Sequence, residues 1–162
     1  MTQAEFTSYL EDAITLFAEE NVKAGIWISA DALENAGKAF QDLLPAGLQT
    51  RDNLVYSIKE GATGDHVGVI WIKIRRDRNP YSAYILDLVI FPAFRKRGYA
   101  QQVLRAIERI AADHGAVSMA LHVFAHNEVA QRLYRDAGYE ISGYLMRKRL
   151  DDAQHEQVSA CT

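Results

Sequence analysis

The stretch Tyr81–Phe91, YSAYILDLVIF, is apolar on both faces of any strand it could form. Side chains of a strand alternate between two faces, so a half-exposed strand reads as apolar and polar by turns. A near-continuous apolar run belongs inside a sheet that is covered on both sides. The chain must therefore supply a helical layer for each face. One residue interrupts the run. Asp87 needs a partner or a task there, because an unpaired buried charge is costly.

Amphipathic segments for those layers stand on both sides of the run. Thr2 and Glu5 have capping-box spacing, and Phe6, Leu10, Ala13, Ile14 and Phe17 then share one helical face. A second helix is expected from Ser29 as N-cap, with Leu33, Ala36, Phe40, Leu43 and Leu44 on its apolar side; Pro45 and Gly47 stop it. LVYSIKE, the GATGD turn and HVGVIWIKIRR read as two strands of a hairpin. After Phe91 comes a helix with Ala100, Val103, Leu104, Ile107 and Ala111 on one face, ended by Gly115. The strand AVSMALHVF follows, then a helix capped by Asn127 and closed by Gly138. YEISGYLMRKRL is expected to add one or two closing strands. The order is two helices, three strands, helix, strand, helix, strands: an α+β, or mixed α/β, architecture.

Length and composition limit the rest. A chain of 162 residues, 49% hydrophobic and 24% charged, fits one soluble globular domain, expected over 1–150 with a polar, disordered tail at 151–162. The net charge of −3 argues against a general binder of nucleic acid or anionic membrane. No apolar run is long enough to cross a bilayer, and the first twenty residues are too acidic for a signal peptide. Cys161 is the single cysteine, so no internal disulfide can form. A cytoplasmic protein is expected. The five histidines lie scattered, without H-x-x-x-H or C-x-x-C spacing, so no metal is expected.

Against that acidic background, Arg95, Lys96 and Arg97 gather in front of Gly98 at a strand-to-helix junction. A helix N-terminus exposes unpaired N–H groups and the positive end of its dipole, and glycine lets a ligand approach the backbone. Phosphate or pyrophosphate suits such a place. A solvated loop with a glycine for turn geometry explains the same residues. Neither a P-loop nor a G-x-G-x-x-G motif is present.

Arg95-Lys96-Arg97-Gly98-Tyr99-Ala100 resembles the R/Q-x-x-G-x-G/A signature of the GCN5-related N-acetyltransferases, and it follows a matching strand, LDLVIFP. LHVFAHNEVAQRLYRDAGY is similar to the later strand and helix of that family, and the resemblance covers about Leu54 to Leu150. It implies a twisted, mostly antiparallel sheet of about six strands with four helices and a splayed parallel pair of central strands. The helix beginning almost at Met1 departs from the family pattern, so the first family strand is missing or very short. Its edge is then open to a partner subunit, such as a homodimer would provide.

The resemblance also implies acetyl-CoA as donor and a small-molecule or peptide amine as acceptor. The pyrophosphate would lie on the backbone of Arg97, Gly98, Tyr99, Ala100 and Gln101, with Arg95 and Lys96 beside it. The pantetheine arm would pair with Leu88, Val89 and Ile90 as an added strand. Asn127 would contact the coenzyme, or serve simply as a helix cap. Tyr134 would protonate the departing thiolate, or else be a core tyrosine. The base is open between His122, Asp87 and a water chain; His126 is read as a loop residue. Acceptor choice would rest with the N-terminal helices, including Trp27, with Tyr56, Trp71 and Tyr84 as additions. The alternative reading is a non-catalytic acyl-CoA-binding or interaction module on the same fold.

Overall fold

The computed structural model describes residues 1–77 and 79–148. The expected tail at 151–162, Cys161 included, lies outside them. Helices α1 (Gln3–Lys23) and α2 (Ser29–Leu43) come first, then strands β1 (Asn53–Lys59), β2 (His66–Arg75) and β3 (Tyr81–Ile90). Helix α3 (Tyr99–Asp113), strand β4 (Ala116–Leu121) and helix α4 (Glu128–Asp136) complete the order. The strands form one sheet in the order β1-β2-β3-β4. The first two pairings are antiparallel and β3–β4 is parallel.

Helices cover both faces, as the apolar run demands. Phe6, Tyr9 and Ala13 of α1, with Phe40 of α2, pack on Val55, Val69 and Trp71. Leu104, Ile107 and Ala111 of α3 pack on Ile70, Ile72, Ile74, Ala83 and Ile85. The strand buried along its length is β2, whose alternate residues feed the two cores. In β3 the second half is only half-buried, because its neighbour β4 stops pairing at Ile85–Leu121.

The α1 capping box forms: the Thr2 hydroxyl accepts from the Glu5 N–H, and the Glu5 carboxylate accepts from the Thr2 N–H at 2.7 Å. Glu5 also accepts from the Ser57 hydroxyl at 3.0 Å, joining α1 to β1. Helix α2 begins at Ser29 itself, with Ile28 in the cap position and no side-chain cap.

The expected six strands are corrected to four among the described residues. No strand precedes α1, and residues 139–148 form none. Gly143 splits that last segment into short apolar pieces with no side chain to pack at the break. Ile141, Tyr144, Leu145 and Met146 are left exposed.

Two irregularities mark β3. Trp71 pairs with Asp87 and Ile72 with Ile85, so Leu86 is an extra residue in β3, a β-bulge. Gly68 of β2 lies against the same strand: a Cβ there would come within 2.1 Å of the Val89 carbonyl oxygen. Gly68→Ala should therefore force β2 and β3 apart and cost about 1–3 kcal/mol, the usual range for overpacking. Chemical denaturation of the variant beside the native protein measures this; an unchanged midpoint would show that the strands yield freely.

Candidate active site

The bulge decides which way Asp87 faces. Before it, Ala83 and Ile85 point to the α3 side; after it, Leu88 does. Without the extra residue Asp87 would share the parity of Ala83 and Ile85 and be driven under α3. With it, Leu86 joins the α1 core and Asp87 accepts a hydrogen bond from the Tyr9 hydroxyl of α1 at 2.9 Å. Burial raises the Asp87 pKa above the ordinary carboxylate range, opposed by the Tyr9 hydrogen bond and the Leu88 amide. Burial also raises the Tyr9 phenol, helped by the Asp87 charge, so Tyr9 stays a donor. Tyr134 of α4 feels the same charge: burial first, then Asp87, push its phenol up to about 12. Its ring meets Tyr139 edge-on with centroids 5.7 Å apart.

Beside Asp87 the sheet opens. The parallel pair runs from Tyr81–Ala116 to Ile85–Leu121, after which β3 continues alone to Ile90. The Phe91 N–H donates to the Val67 carbonyl, so by the alternation of an antiparallel ladder Leu88 and Ile90 turn their main-chain groups away from β2. The departing chain after β4 is held by rings. His122 meets Phe124 edge-on at 5.0 Å, Phe124 stacks on His126 at 5.4 Å, and His126 Nε2 bonds the Glu20 carboxylate of α1. Asn127 caps α4, its Oδ1 accepting from the Ala130 N–H at 3.1 Å.

The basic turn sits at the far end of β3. Lys96 and Gly98 both have positive φ, 60° and 79°. A Cβ on Gly98 would meet only Gln102 Nε2, at 3.8 Å. Glycine is thus demanded by the left-handed backbone, and the space over it is open. No side chain caps α3, whose first bond runs from the Gln102 N–H to the Gly98 carbonyl at 3.2 Å. The N–H groups of Tyr99, Ala100 and Gln101 precede that bond at an exposed or half-exposed helix start.

Two of the three basic side chains brace the turn. Arg95 Nε donates to the Ile90 carbonyl at 2.9 Å, and Arg97 Nη2 to the Ala93 carbonyl at 3.0 Å while lying over the Phe94 ring. Tyr99 donates to the Glu60 carboxylate in the β1–β2 turn, and this bond holds Glu60 below the ordinary carboxylate range.

Of the sequence-derived site residues, Leu88, Val89 and Ile90 line the open stretch, residues 95–101 form the turn and helix start, and Asp87 and Tyr134 come within electrostatic reach of each other. His122 is exposed one residue beyond β4. Trp71 is no acceptor residue: it is buried, and its indole N–H goes to Asn53 Oδ1 at 2.9 Å. Trp27 packs edge-on to Phe17, Tyr84 lies under Arg75, and Tyr56 is exposed. Sequence reasoning misses Tyr9. It stands three residues after Phe6 on the buried face, and a phenol there needs a partner. It also misses the His126–Glu20 contact, which no local pattern encodes. Among the described residues no cluster of His, Cys, Asp or Glu suits a metal, and no helix is long and apolar enough to cross a membrane.

The sequence profile of the acetyltransferase (GNAT) family matches residues 14–139. The chain belongs to that family. It is 38% identical over 150 residues to the uncharacterized N-acetyltransferase YycN of Bacillus subtilis, covering 93% of this chain and 96% of YycN. YdgE of the same organism, also an uncharacterized N-acetyltransferase, is 32% identical over 150 residues, or 93% and 95% of the two chains. The crystal structure of YycN superimposes with a TM-score of 0.88 at 37% identity, covering 94% and 96%. AAC(6′)-Iy, solved with the bisubstrate analogue CoA-S-monomethyl-acetylneamine, shares the fold at a TM-score of 0.55 and 21% identity over 76% and 81%. The GNAT domain here is that of an acetyl-CoA-dependent N-acetyltransferase.

The raised Asp87 pKa bears on stability. The folded protein binds this proton more tightly than the unfolded chain, whose Asp titrates near 3.8. Asp87 therefore costs stability once pH rises above that value, and the cost is full above the folded pKa. Asp87→Asn should melt at a higher temperature than the native protein at pH 7, with the gap closing toward pH 4. Paired thermal melts across that range test it; a variant less stable at every pH would mean that the Tyr9 bond outweighs burial.

Proposed function

We propose that the chain transfers the acetyl group of acetyl-CoA to a primary amine by direct attack within a ternary complex. The observation that carries this reading is the opening of the sheet beside Asp87. An unpaired stretch of β3 leads from a half-buried acid to an open, glycine-containing helix start. The same opening has the length and polarity for an extended amide-bearing arm to pair with Leu88 and Ile90. The Ile90 carbonyl already accepts from Arg95, which leaves the Ile90 N–H and the Leu88 carbonyl for such pairing. The pyrophosphate would rest on the N–H groups of Arg97, Gly98, Tyr99, Ala100 and Gln101, with Lys96 free to add its charge.

The chemistry rests on proton accounting. An alkyl ammonium has a pKa of about 10, so it must lose a proton before its nitrogen can attack. Asp87 is the proposed base: a carboxylate raised by burial accepts that proton more readily than an exposed one. The nitrogen then adds to the thioester carbonyl, and a main-chain N–H of the 88–90 stretch faces the oxyanion. As the C–S bond breaks, Tyr134 gives its proton to the thiolate and regains one from the nitrogen, which sheds its second proton as the amide forms. The products are the N-acetyl amine, CoA thiol and one released proton. His122, exposed and beyond β4, is the less well placed candidate for the base, and Asn127 serves α4 as its cap. The acceptor is proposed to be a small-molecule amine, the class that AAC(6′)-Iy meets in its bisubstrate complex.

Calorimetric titration with acetyl-CoA, native against Gly98→Glu, tests the donor site. Binding should vanish in the variant while its fold persists; no binding by the native protein would favour a non-catalytic module. A panel of primary amines, followed by thiol release, tests transfer. Tyr134→Phe should retain acetyl-CoA binding and lose roughly 10–10³-fold in kcat, around the usual range for one acid–base group. The pH profile of kcat/KM should fall on the acid side as Asp87 protonates, above the ordinary carboxylate range. Tyr134 should impose no alkaline limb below about 12.

A further inference from the structure

Asp87 is held from outside its own sheet. The groups that act on it are the Tyr9 hydroxyl from α1 and the Leu88 amide of its own strand, both by hydrogen bonds, while the Tyr134 phenol from α4 feels its charge without a hydrogen bond. Its cross-strand neighbour on β2 is Trp71, neutral and committed to Asn53. Among the described residues Asp87 forms no ion pair. Among the described residues Tyr9 is the one side chain that hydrogen-bonds the carboxylate, at 2.9 Å to Oδ2. It is buried at 7% exposure, in a core of Phe6, Phe40, Val69 and Trp71 that fixes its ring.

We infer that Tyr9 is a positioning residue for Asp87: its hydroxyl fixes one carboxylate oxygen across the helix–sheet interface and leaves the other to take the proton of the incoming amine. The inference rests on the acid–base assignment proposed above and extends it to a helix that carries none of the family motif. A carboxylate anchored at one oxygen keeps one rotamer, so the proton is taken from one direction only. The donor also favours the ionised form, which tempers what burial does. A phenol suits this task because it cannot itself become the anion while Asp87 is charged beside it. The proton moves from the ammonium nitrogen to the Asp87 oxygen that Tyr9 does not hold, while Tyr9 keeps its own.

Tyr9→Phe removes the hydroxyl and keeps the ring, so the core stays filled. Two readouts belong together: the Asp87 titration followed by carboxyl carbon-13 NMR, assigned with Asp87→Asn, and the pH dependence of kcat/KM. The amine for the second is the best acceptor from the panel. In Tyr9→Phe both the Asp87 midpoint and the acid limb of kcat/KM should rise together by roughly one pH unit, the order expected for losing one hydrogen bond to a charged group. Acetyl-CoA affinity should be unchanged. An Asp87 midpoint that does not move overturns the inference. So does a midpoint that moves while the acid limb stays, since the bond would then be structural only. Full turnover by Asp87→Asn, or a native protein silent toward every amine, fails the assignment of base or of function instead, and is told apart because it does not involve Tyr9.

Discussion

One extra residue in β3 organises this molecule. The bulge at Leu86 reverses the parity of the strand, so an acid that would otherwise lie under α3 meets the Tyr9 hydroxyl on the opposite face. Immediately beside the bulge β4 ceases to pair, and the rest of β3 runs on with one edge open. A regular strand would have been a better ladder. The irregular one yields a carboxyl at the root of the opening and an unpaired backbone edge along it.

The opening is kept from closing by contacts on both sides. On one, β4 leaves through a ladder of rings, His122, Phe124 and His126, whose last member is tied to Glu20 of α1. On the other, Gly68 lets β2 lie so close to Val89 that β3 is held from behind. The far end is shaped by arginines that donate to carbonyls of the strand end and the turn, so its form does not await a ligand. Such advance ordering lowers the entropy cost of binding any ligand there.

Much of this is legible along the chain because it depends on local chemistry. The capping box at Thr2, the Asn127 cap, the left-handed Gly98 and the helical stripes of α1 and α3 are each encoded within a few residues. Two covered faces follow from the apolar run of β3, although the strand most deeply buried is β2, since β3 loses its neighbour half-way. The bulge is not legible: it is a mismatch between two strands, and neither strand announces it alone. The Tyr9–Asp87 and Glu20–His126 contacts join residues far apart in sequence, with no periodicity to betray them. Apolar residues around Gly143 suggest a closing ladder that the described chain does not make. The three basic residues look like charge for a ligand, whereas two of them have structural roles inside the turn.

The seam between α1 and α2 is lined by Ala18, Ala32 and Ala36, all buried. Helix α1 is pinned to the sheet at Tyr9 and to the departing loop at Glu20, whereas α2 meets α1 along that alanine seam and the sheet through Phe40, with Ile28 and Leu33 exposed beside it. The two neighbouring helices thus differ in evolutionary freedom. α1 carries the hydroxyl that holds Asp87, so substitutions on its inner face reach that carboxyl. α2 can change its outward residues without touching that contact, while Phe40 on its inner side belongs to the core around Tyr9. A lineage of such proteins could vary the outer face of α2 alone, leaving the opened sheet as inherited.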